Sequence, residues 1–373
     1  MRFSCEKAQI VAAITVTSKV ASAKSAVPAL EGLLLEAEDR LRISGYDLKT
    51  GIKTEIPAEV TEAGSIVLNA RLLGDIVRKL PDDVIVFTIG SDNMVTITCG
   101  MSQFNILGTP AGDYPELPSV DEQNTIYIPQ NVLGRMISET IFAVSDNESR
   151  PVHTGSLFEL ENSTLTIVSV DGYRLALRRE KLERADMADC TFIVPGSALS
   201  EVEKIASDSD DVVKISLGSK HILFSIGNTI VISRRLEGDF LNYRQAIPQT
   251  NKIQLTVDKK MFMGAVERVS LIISEKLKSP VRCVFGDGLV RLSTATALGK
   301  ASDECKIAGD GNDLEIGFNN KYLLDALKAA PADMVRISLG TSVSPCVICP
   351  MDDSEADNFT YLVLPVRLKA GES

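Results

Sequence analysis

The chain repeats itself, and that repetition limits its fold more than any other feature. Three segments open with a short alternating strand and pass through a polar break into a helix: RFSCEKAQIVAAITVTSKV from Arg2, IYIPQNVLGRMISETIFAV from Ile126 and IQLTVDKKMFMGAVERVSLI from Ile253, spaced by 124 and 127 residues. A second strand-helix unit recurs in SIVLNARLLGDIVRKL, TFIVPGSALSEVEKIA and LEIGFNNKYLLDALKA, where Asn69, Pro195 and Asn319 are spaced by 126 and 124. Two independent landmarks give one period. After each helix come alternating strands with turn pairs such as Gly227-Asn228 and Asp287-Gly288 between them, the pattern of half-buried antiparallel hairpins. Helical positions such as Val132, Leu133, Met136 and Ile137 place apolar side chains on one face, toward a sheet. The predicted class is α+β: three similar domains, each a duplicated unit of strand, helix and antiparallel sheet. Proline-marked joins, DYPELPSVDEQN and NYRQAIPQTNK, put the domains at 1–122, 123–249 and 250–373.

Length agrees with several cores, because 373 residues exceed what one core accommodates. No basic stretch followed by an apolar run opens the chain, and no eighteen apolar residues run uninterrupted, so a cytoplasmic protein without a membrane segment is expected. Seven cysteines, mostly inside apolar runs, read as reduced core thiols. A net charge of -11 argues, by itself, against nucleic acid.

Few residues offer chemistry. His153 and His221 occupy different repeat positions with no carboxylate or cysteine at ligand spacing. Cys346 and Cys349 form a CxxC, but on a strand their side chains point to opposite faces and do not pinch a metal. Ala297-Leu298-Gly299-Lys300 resembles the end of a phosphate loop, yet Thr294 stands where the first glycine is needed. The run SDSDD at 207–211 reads as a solvated loop. No metal, cofactor or catalytic set is therefore expected. SVDGYRLA, from Ser169 to Ala176, is the one stretch that looks like a site, with Asp171, Tyr173 and Arg174 around Gly172. It falls where ISGYDLKTG falls in the first repeat and LSTATALGK in the third, which favours a hairpin turn over catalysis. The competing readings are an enzyme using those three residues as acid, base and anion holder, and an interaction scaffold that does not touch DNA.

Five separated motifs carry a family resemblance: VDGYRLA, LEGDFLNYRQAIP, LEIGFNNKYLLDAL, VRISLGTSVSP and the tail YLVLPVRL. With these in order, the chain resembles the beta subunit of bacterial DNA polymerase III, the sliding clamp, from end to end. The resemblance implies the DNA clamp fold, a ring with helices inside and sheets outside. It implies a processivity factor for DNA replication: a head-to-tail homodimer encircling double-stranded DNA and sliding without sequence specificity, an accessory subunit and no enzyme. The implied partners are the DNA polymerase III alpha subunit, the clamp loader complex, and other polymerases, ligase and mismatch-repair proteins that dock linear peptide motifs. Six helix windows carry twelve basic against eight acidic residues while the whole chain is at -11, a sign separation that suits a hole positive inside.

By position, the resemblance places the partner-peptide pocket at Arg150, Val170, Gly172, Tyr173, Arg174, Leu175, Leu241, Ala246, Asn319, Tyr322, Val343, Pro345, Leu362, Leu364, Pro365, Val366 and Arg367. Aliphatic walls there would bury apolar peptide side chains. The DNA-facing candidates are Lys24, Arg71, Asn147, Lys204 and Arg234, with Lys24 and Asn147 aligning to positions that touch DNA in the family. For dimer closure the family implies that an edge strand holding Phe104 and Ile106 meets Leu271, Ile272 and the strand near Val281 of the partner. Val170, Pro345, Leu364 and Val366 depart from the family's common residues, and Lys369 to Ser373 extend past its usual end.

Overall fold

A computed structural model of the chain describes residues 1–22, 24–121, 124–248, 250–274, 279–351 and 358–368. The expected join at 122–123, Gln249 at the second join and the Lys369 to Ser373 extension lie outside the described residues.

The repeat is present element by element. The first module runs β1 (Arg2–Glu6), α1 (Lys7–Thr17), β2 (Gly32–Ala37), β3 (Leu41–Tyr46), β4 (Thr50–Ile56), β5 (Glu59–Glu62), β6 (Gly64–Asn69), α2 (Ala70–Lys79), β7 (Val84–Ile89), β8 (Met94–Cys99) and β9 (Ser102–Leu107). The middle module runs β10 (Thr125–Pro129), α3 (Gln130–Ser138), β11 (Gly155–Glu161), β12 (Thr164–Val170), β13 (Arg174–Lys181), β14 (Arg184–Asp186), β15 (Cys190–Pro195), α4 (Gly196–Ile205), β16 (Val212–Leu217), β17 (His221–Ile226) and β18 (Thr229–Arg234). A one-turn helix, α5 (Tyr243–Ala246), lies in the connection that the sequence reads as linker. The third module runs β19 (Ile253–Asp258), α6 (Lys259–Ser270), β20 (Val281–Gly286), β21 (Leu289–Thr296), β22 (Gly299–Ala308), β23 (Leu314–Phe318), α7 (Asn320–Ala329), β24 (Met334–Leu339), β25 (Cys346–Cys349) and β26 (Phe359–Val363).

The polar break before a helix works as an N-cap. Asn69 Oδ1 accepts from Leu72 N, Asp258 Oδ1 from Met261 N, and Asn319 Oδ1 from Lys321 N and Tyr322 N, each satisfying donors that the first helical turn leaves open. A second device recurs in two modules. Lys7 Nζ donates to Leu80 O at 2.6 Å, and Lys259 Nζ to Ala330 O at 2.6 Å, so the ammonium opening one helix closes the carbonyl end of the other. The middle module has Gln130 at this place, and its Oε1 accepts from Ser207 N and Oγ instead.

The described chain packs as two compact units: 1–134 with 184–187 and 200–235, and 135–183 with 188–199 and 236–373. The sequence expects three modules, and three strand-helix-sheet repeats are there, but the halves of the middle one continue different sheets. In the first unit a nine-stranded antiparallel sheet has the order β14-β10-β16-β17-β18-β4-β3-β2-β6 and a five-stranded sheet the order β5-β1-β7-β8-β9. Phe3, Ile10, Ile14, Leu35, Leu68, Leu73, Phe87 and Ile97 fill the core between these sheets and helices α1 and α2. The second unit holds one twelve-stranded sheet, β15-β11-β12-β13-β26-β25-β24-β19-β22-β21-β20-β23. Its main core joins Phe262, Phe285, Phe318, Leu327, Phe359 and Tyr361.

Two strand pairs join one module to the next within these sheets. β18 pairs with β4, aligning Thr229 with Thr54 and Val231 with Ile52. β13 pairs with β26, aligning Arg174 with Val363 and Leu175 with Leu362.

Candidate functional site

The stretch around Gly172 is a turn, as its sequence predicts. Gly172 has φ +91°, a region that costs a side-chain-bearing residue about 1 kcal/mol or more. Asp171 Oδ1 accepts from Tyr173 N at 2.8 Å and Arg174 N at 3.0 Å, while Asp171 Oδ2 accepts from Arg174 Nε at 2.9 Å. Both carboxylate oxygens are thus used in shaping the turn. The same construction stands in the first module, where Asp47 Oδ1 accepts from Lys49 N and Thr50 N, and Leu48 takes φ +71°. Asp171 is therefore a turn former by construction.

Past the turn, the side chains build a surface. Tyr173 is 61% exposed and stacks on Tyr322 of α7, ring centroids 5.8 Å apart and 20° between planes. The Arg174 guanidinium lies 4.7 Å from the Tyr322 ring and 5.5 Å from that of Phe142, within cation-π range. Its Nη1 donates to Asp325 on α7. Burial chiefly, and Asp171 after it, raise the Tyr322 phenol above its ordinary pKa, so the ring stays neutral at physiological pH.

The tail lies along this turn. Leu364 N donates to Tyr173 O at 2.9 Å and Val366 N to Gly317 O at 2.8 Å, which brings Leu364, Pro365 and Val366 beside β13 and the end of β23. Beneath, Leu157, Val168, Leu175, Leu177, Val347 and Leu362 form an apolar layer covered by Tyr243, Phe240 and Ile247. Tyr243 donates its hydroxyl to Glu159, and Arg244 reaches both Glu159 oxygens at 2.9 and 2.7 Å and Glu161 at 2.8 Å. These bonds fix α5 and with it the neighbourhood of Leu241 and Ala246. Burial first, then the Glu159 hydrogen bond, push the Tyr243 phenol up to about 12.

Of the pocket residues expected from sequence, the turn, the strand pair and the tail bring together Val170, Gly172, Tyr173, Arg174, Leu175, Asn319, Tyr322, Leu362, Leu364, Pro365 and Val366. Leu241, Ala246, Val343 and Pro345 sit on the adjoining α5 connection and the 341–345 turn, with Leu241 and Val343 exposed. Arg150 and Arg367 are exposed. Tyr173, Leu241, Val343, Leu364 and Val366 are large apolar side chains left in solvent in one compact unit. Asp325, Phe142 and Gly317 belong to the same construction and were missed by sequence reasoning. Asp325 follows Tyr322 by three residues on one helix face, the signal that could have found it.

Each DNA-facing candidate is at the surface of its own unit. Lys24 and Arg234 are exposed, and the Arg71 side chain is 92% exposed. Lys204 is exposed, donates to Glu201 at 2.7 Å, and borders a cavity of about 530 Å³ with Gln9, Ala12, Val16 and Asn228. Asn147, exposed in the second unit, accepts from Ser149 N at 3.0 Å.

One expected strand is corrected. β20, which begins at Val281, is paired on both sides, with β21 and with β23, so it has no edge to offer. β22 is the strand of that hairpin set with a side left largely unpaired among the described residues: β21 covers one side along its length, but β19 reaches only Ile307 and Ala308 on the other. β9, with Phe104 and Ile106, is an edge strand as expected. Leu271 is 83% exposed just after α6, and Ile272 beside it is half-buried.

Among the described residues no cluster of three metal-ligating side chains occurs, and no helix is long and apolar enough to cross a membrane. Triplicated modules, sheets that end on open edges and an apolar surface at a strand junction define a binding scaffold of the clamp architecture. Comparison with known proteins agrees. Models of the N-terminal, central and C-terminal domains of the DNA polymerase III beta subunit match residues 1–118, 127–242 and 244–367. A beta sliding clamp of Staphylococcus epidermidis is 34% identical over 98% of this chain and 99% of its own length, and one of Staphylococcus aureus is 33% identical over the same shares. The solved sliding clamp of Bacillus subtilis superposes with a TM-score of 0.93 at 31% identity, covering 99% of this chain and all of that one. A Pseudomonas aeruginosa clamp bound to griselimycin superposes at 0.93 with 27% identity, over 99% of this chain and all of that one. The chain belongs to the DNA polymerase III beta subunit family, the sliding clamps. Its role is that of a sliding clamp for DNA polymerase III in DNA replication.

Proposed function

We propose that two copies of the chain close head to tail into a ring around duplex DNA and work there without catalysis, as a moving tether. Strand bookkeeping carries this reading. Each module has two three-stranded meanders, whose last strands are β4 and β9 in the first, β13 and β18 in the second, β22 and β26 in the third. β4 pairs with β18 and β13 pairs with β26, so one pairing of the same kind is left over, β22 with β9. A second copy supplies it. β9 of one copy adds to residues 299–306 of β22 in the other, and a two-fold axis makes the reverse contact too, leaving neither edge free. Phe104, Ile106, Leu271 and Ile272 are the apolar side chains of that interface.

Held by topology, such a ring needs few phosphate contacts. Lys24, Arg71, Asn147, Lys204 and Arg234 serve as weak, sequence-blind contacts that permit sliding. The surface at Tyr173, Tyr322, Leu364 and Val366 takes short linear peptides from the DNA polymerase III alpha subunit, the clamp loader and repair proteins, and it takes griselimycin, as the Pseudomonas clamp does. An enzymatic reading of Asp171, Tyr173 and Arg174 is disfavoured because Asp171 is spent on its turn and Asp47 repeats that turn. The domain limits of 1–122, 123–249 and 250–373 remain part of the proposal.

Sedimentation tests the closure. The wild-type protein at micromolar concentration is expected at twice the chain mass, and Ile106→Lys at the chain mass. A wild-type protein that sediments as a monomer would overturn the ring.

A further inference from the structure

We propose that Asp325 on α7 is a positioning residue for peptide recognition, holding the Arg174 guanidinium so that the Tyr173 surface is formed before a ligand arrives. This rests on the peptide-binding reading above. Along β13, Arg174, Ala176 and Arg178 share one face, and both arginines reach acids of the helical layer: Arg178 Nε lies 3.0 Å from Glu139, and Arg174 Nη1 donates to Asp325.

The Arg174 clamp is two-sided. Asp171 takes Nε and Asp325 takes Nη1, while Tyr322 and Phe142 lie against the guanidinium. Nη2 is then the one guanidinium nitrogen without a hydrogen-bond partner among the described residues, set to donate to a carbonyl of a bound chain. A guanidinium fixed this way also holds the Tyr322 ring, on which Tyr173 stacks. Asp171 holds Nε from the turn side, and Asp325 holds Nη1 from the helix that carries Tyr322, so the second contact ties the guanidinium to the ring's own element. Ordering these side chains in advance removes a cost that binding would otherwise meet.

Asp325 can be altered without opening the core. It borders a cavity of about 490 Å³ with Ser138, Glu139, Phe142, Lys259 and Lys328, and amide for carboxylate keeps its shape. The full-length protein is titrated with griselimycin by calorimetry. Asp325→Asn is expected to bind about tenfold more weakly, the scale of one charged hydrogen bond, with an unchanged unfolding midpoint. Asp325→Glu, which keeps the charge, is expected to recover most of the loss. In the Asp325→Asn background, Arg174→Gln should cost little more, because the two residues act as a unit. A wild-type protein that binds beside an Asp325→Asn protein that binds equally, or losses that simply multiply, would refute the positioning role. If the wild-type protein does not bind griselimycin, the peptide-binding reading falls, and this inference falls with it.

Discussion

The two strand junctions between modules are built on one plan and finished differently. At the β4–β18 junction the turn Asp47-Leu48-Lys49-Thr50 is closed over: Tyr46, just before it, is 7% exposed, and Tyr114 at 6% covers it with its hydroxyl donating to Ser44 O. Gly51 approaches Leu117 so closely that an added Cβ would come within 2.9 Å. A buried Thr54–Thr229 hydroxyl pair at 2.9 Å and an Asn228 side chain donating to Glu55 O lock the two strands. At the β13–β26 junction the same turn, Asp171-Gly172-Tyr173-Arg174, has its aromatic residue two positions after the aspartate instead of just before it. Tyr173 therefore points outward and stays in solvent. Moving the aromatic ring three positions along the turn, from just before the aspartate to two residues after it, separates a sealed seam from one that leaves a tyrosine in solvent.

The contrast is sharpest at the two tyrosines. Tyr114→Ala should cost about 3–5 kcal/mol of stability, the usual range for removing a buried aromatic ring. Tyr173→Ala should change stability by no more than about 0.5 kcal/mol and instead weaken griselimycin binding. Chemical denaturation of both variants checks the pair, and equal losses of stability would erase the distinction.

The hydroxyl lock at the sealed seam comes next. Thr54→Val, which takes the partner from the buried Thr229 hydroxyl, should cost about 1–3 kcal/mol, and Thr229→Val less, because Thr54 Oγ1 still reaches Asn228 O at 3.5 Å. The double variant should cost less than the sum of the two, which a double-mutant cycle reads directly.

The turns themselves give a smaller effect of opposite sign. Gly172→Ala should destabilise by about 1 kcal/mol from backbone strain alone, since nothing lies within 4 Å of an added Cβ. Leu48→Gly should gain about 0.5 kcal/mol, because leucine already bears that strain at φ +71° and its side chain is exposed. Unfolding midpoints of the two variants should move in opposite directions.

Alkaline pH acts on the covers of both junctions. Burial raises the phenols of Tyr114 and Tyr243 above their ordinary value of 10, Tyr243 to about 12. The unfolded chain ionises these groups first, so their contribution is complete below pH 10 and declines as pH rises through 12. Thermal unfolding followed from pH 9 to 12 should show that decline, and it should diminish in Tyr243→Phe.

Much of this was legible in the chain. The period of about 125 residues, set by the positions of Asn69, Pro195 and Asn319, gave the modules. The Asp171-Gly172 pair gave its turn because that chemistry is local. Cys346 and Cys349 behave as a strand predicts, the first buried and the second half-buried and accepting from Arg336 Nε at 3.2 Å. Which strand keeps a free edge was not legible: β20 and β22 have similar alternation, and only β23, from beyond the hairpins, decides which is enclosed. The grouping into two compact units was hidden for the same reason, since a strand pattern does not say whose sheet it will join. Asp325 was overlooked because Arg174, its partner, lies 151 residues away, and only its spacing of three from Tyr322 ties it to the site in the sequence.

The ring itself is tested most directly on circular DNA. The protein is loaded on a nicked circular plasmid by a clamp loader with ATP, freed from unbound protein by gel filtration, and the plasmid is then cut once. Retention on the circle followed by loss from the linear form is the predicted result. Protein that stays equally on cut and uncut DNA, or never stays on the circle, would contradict encirclement.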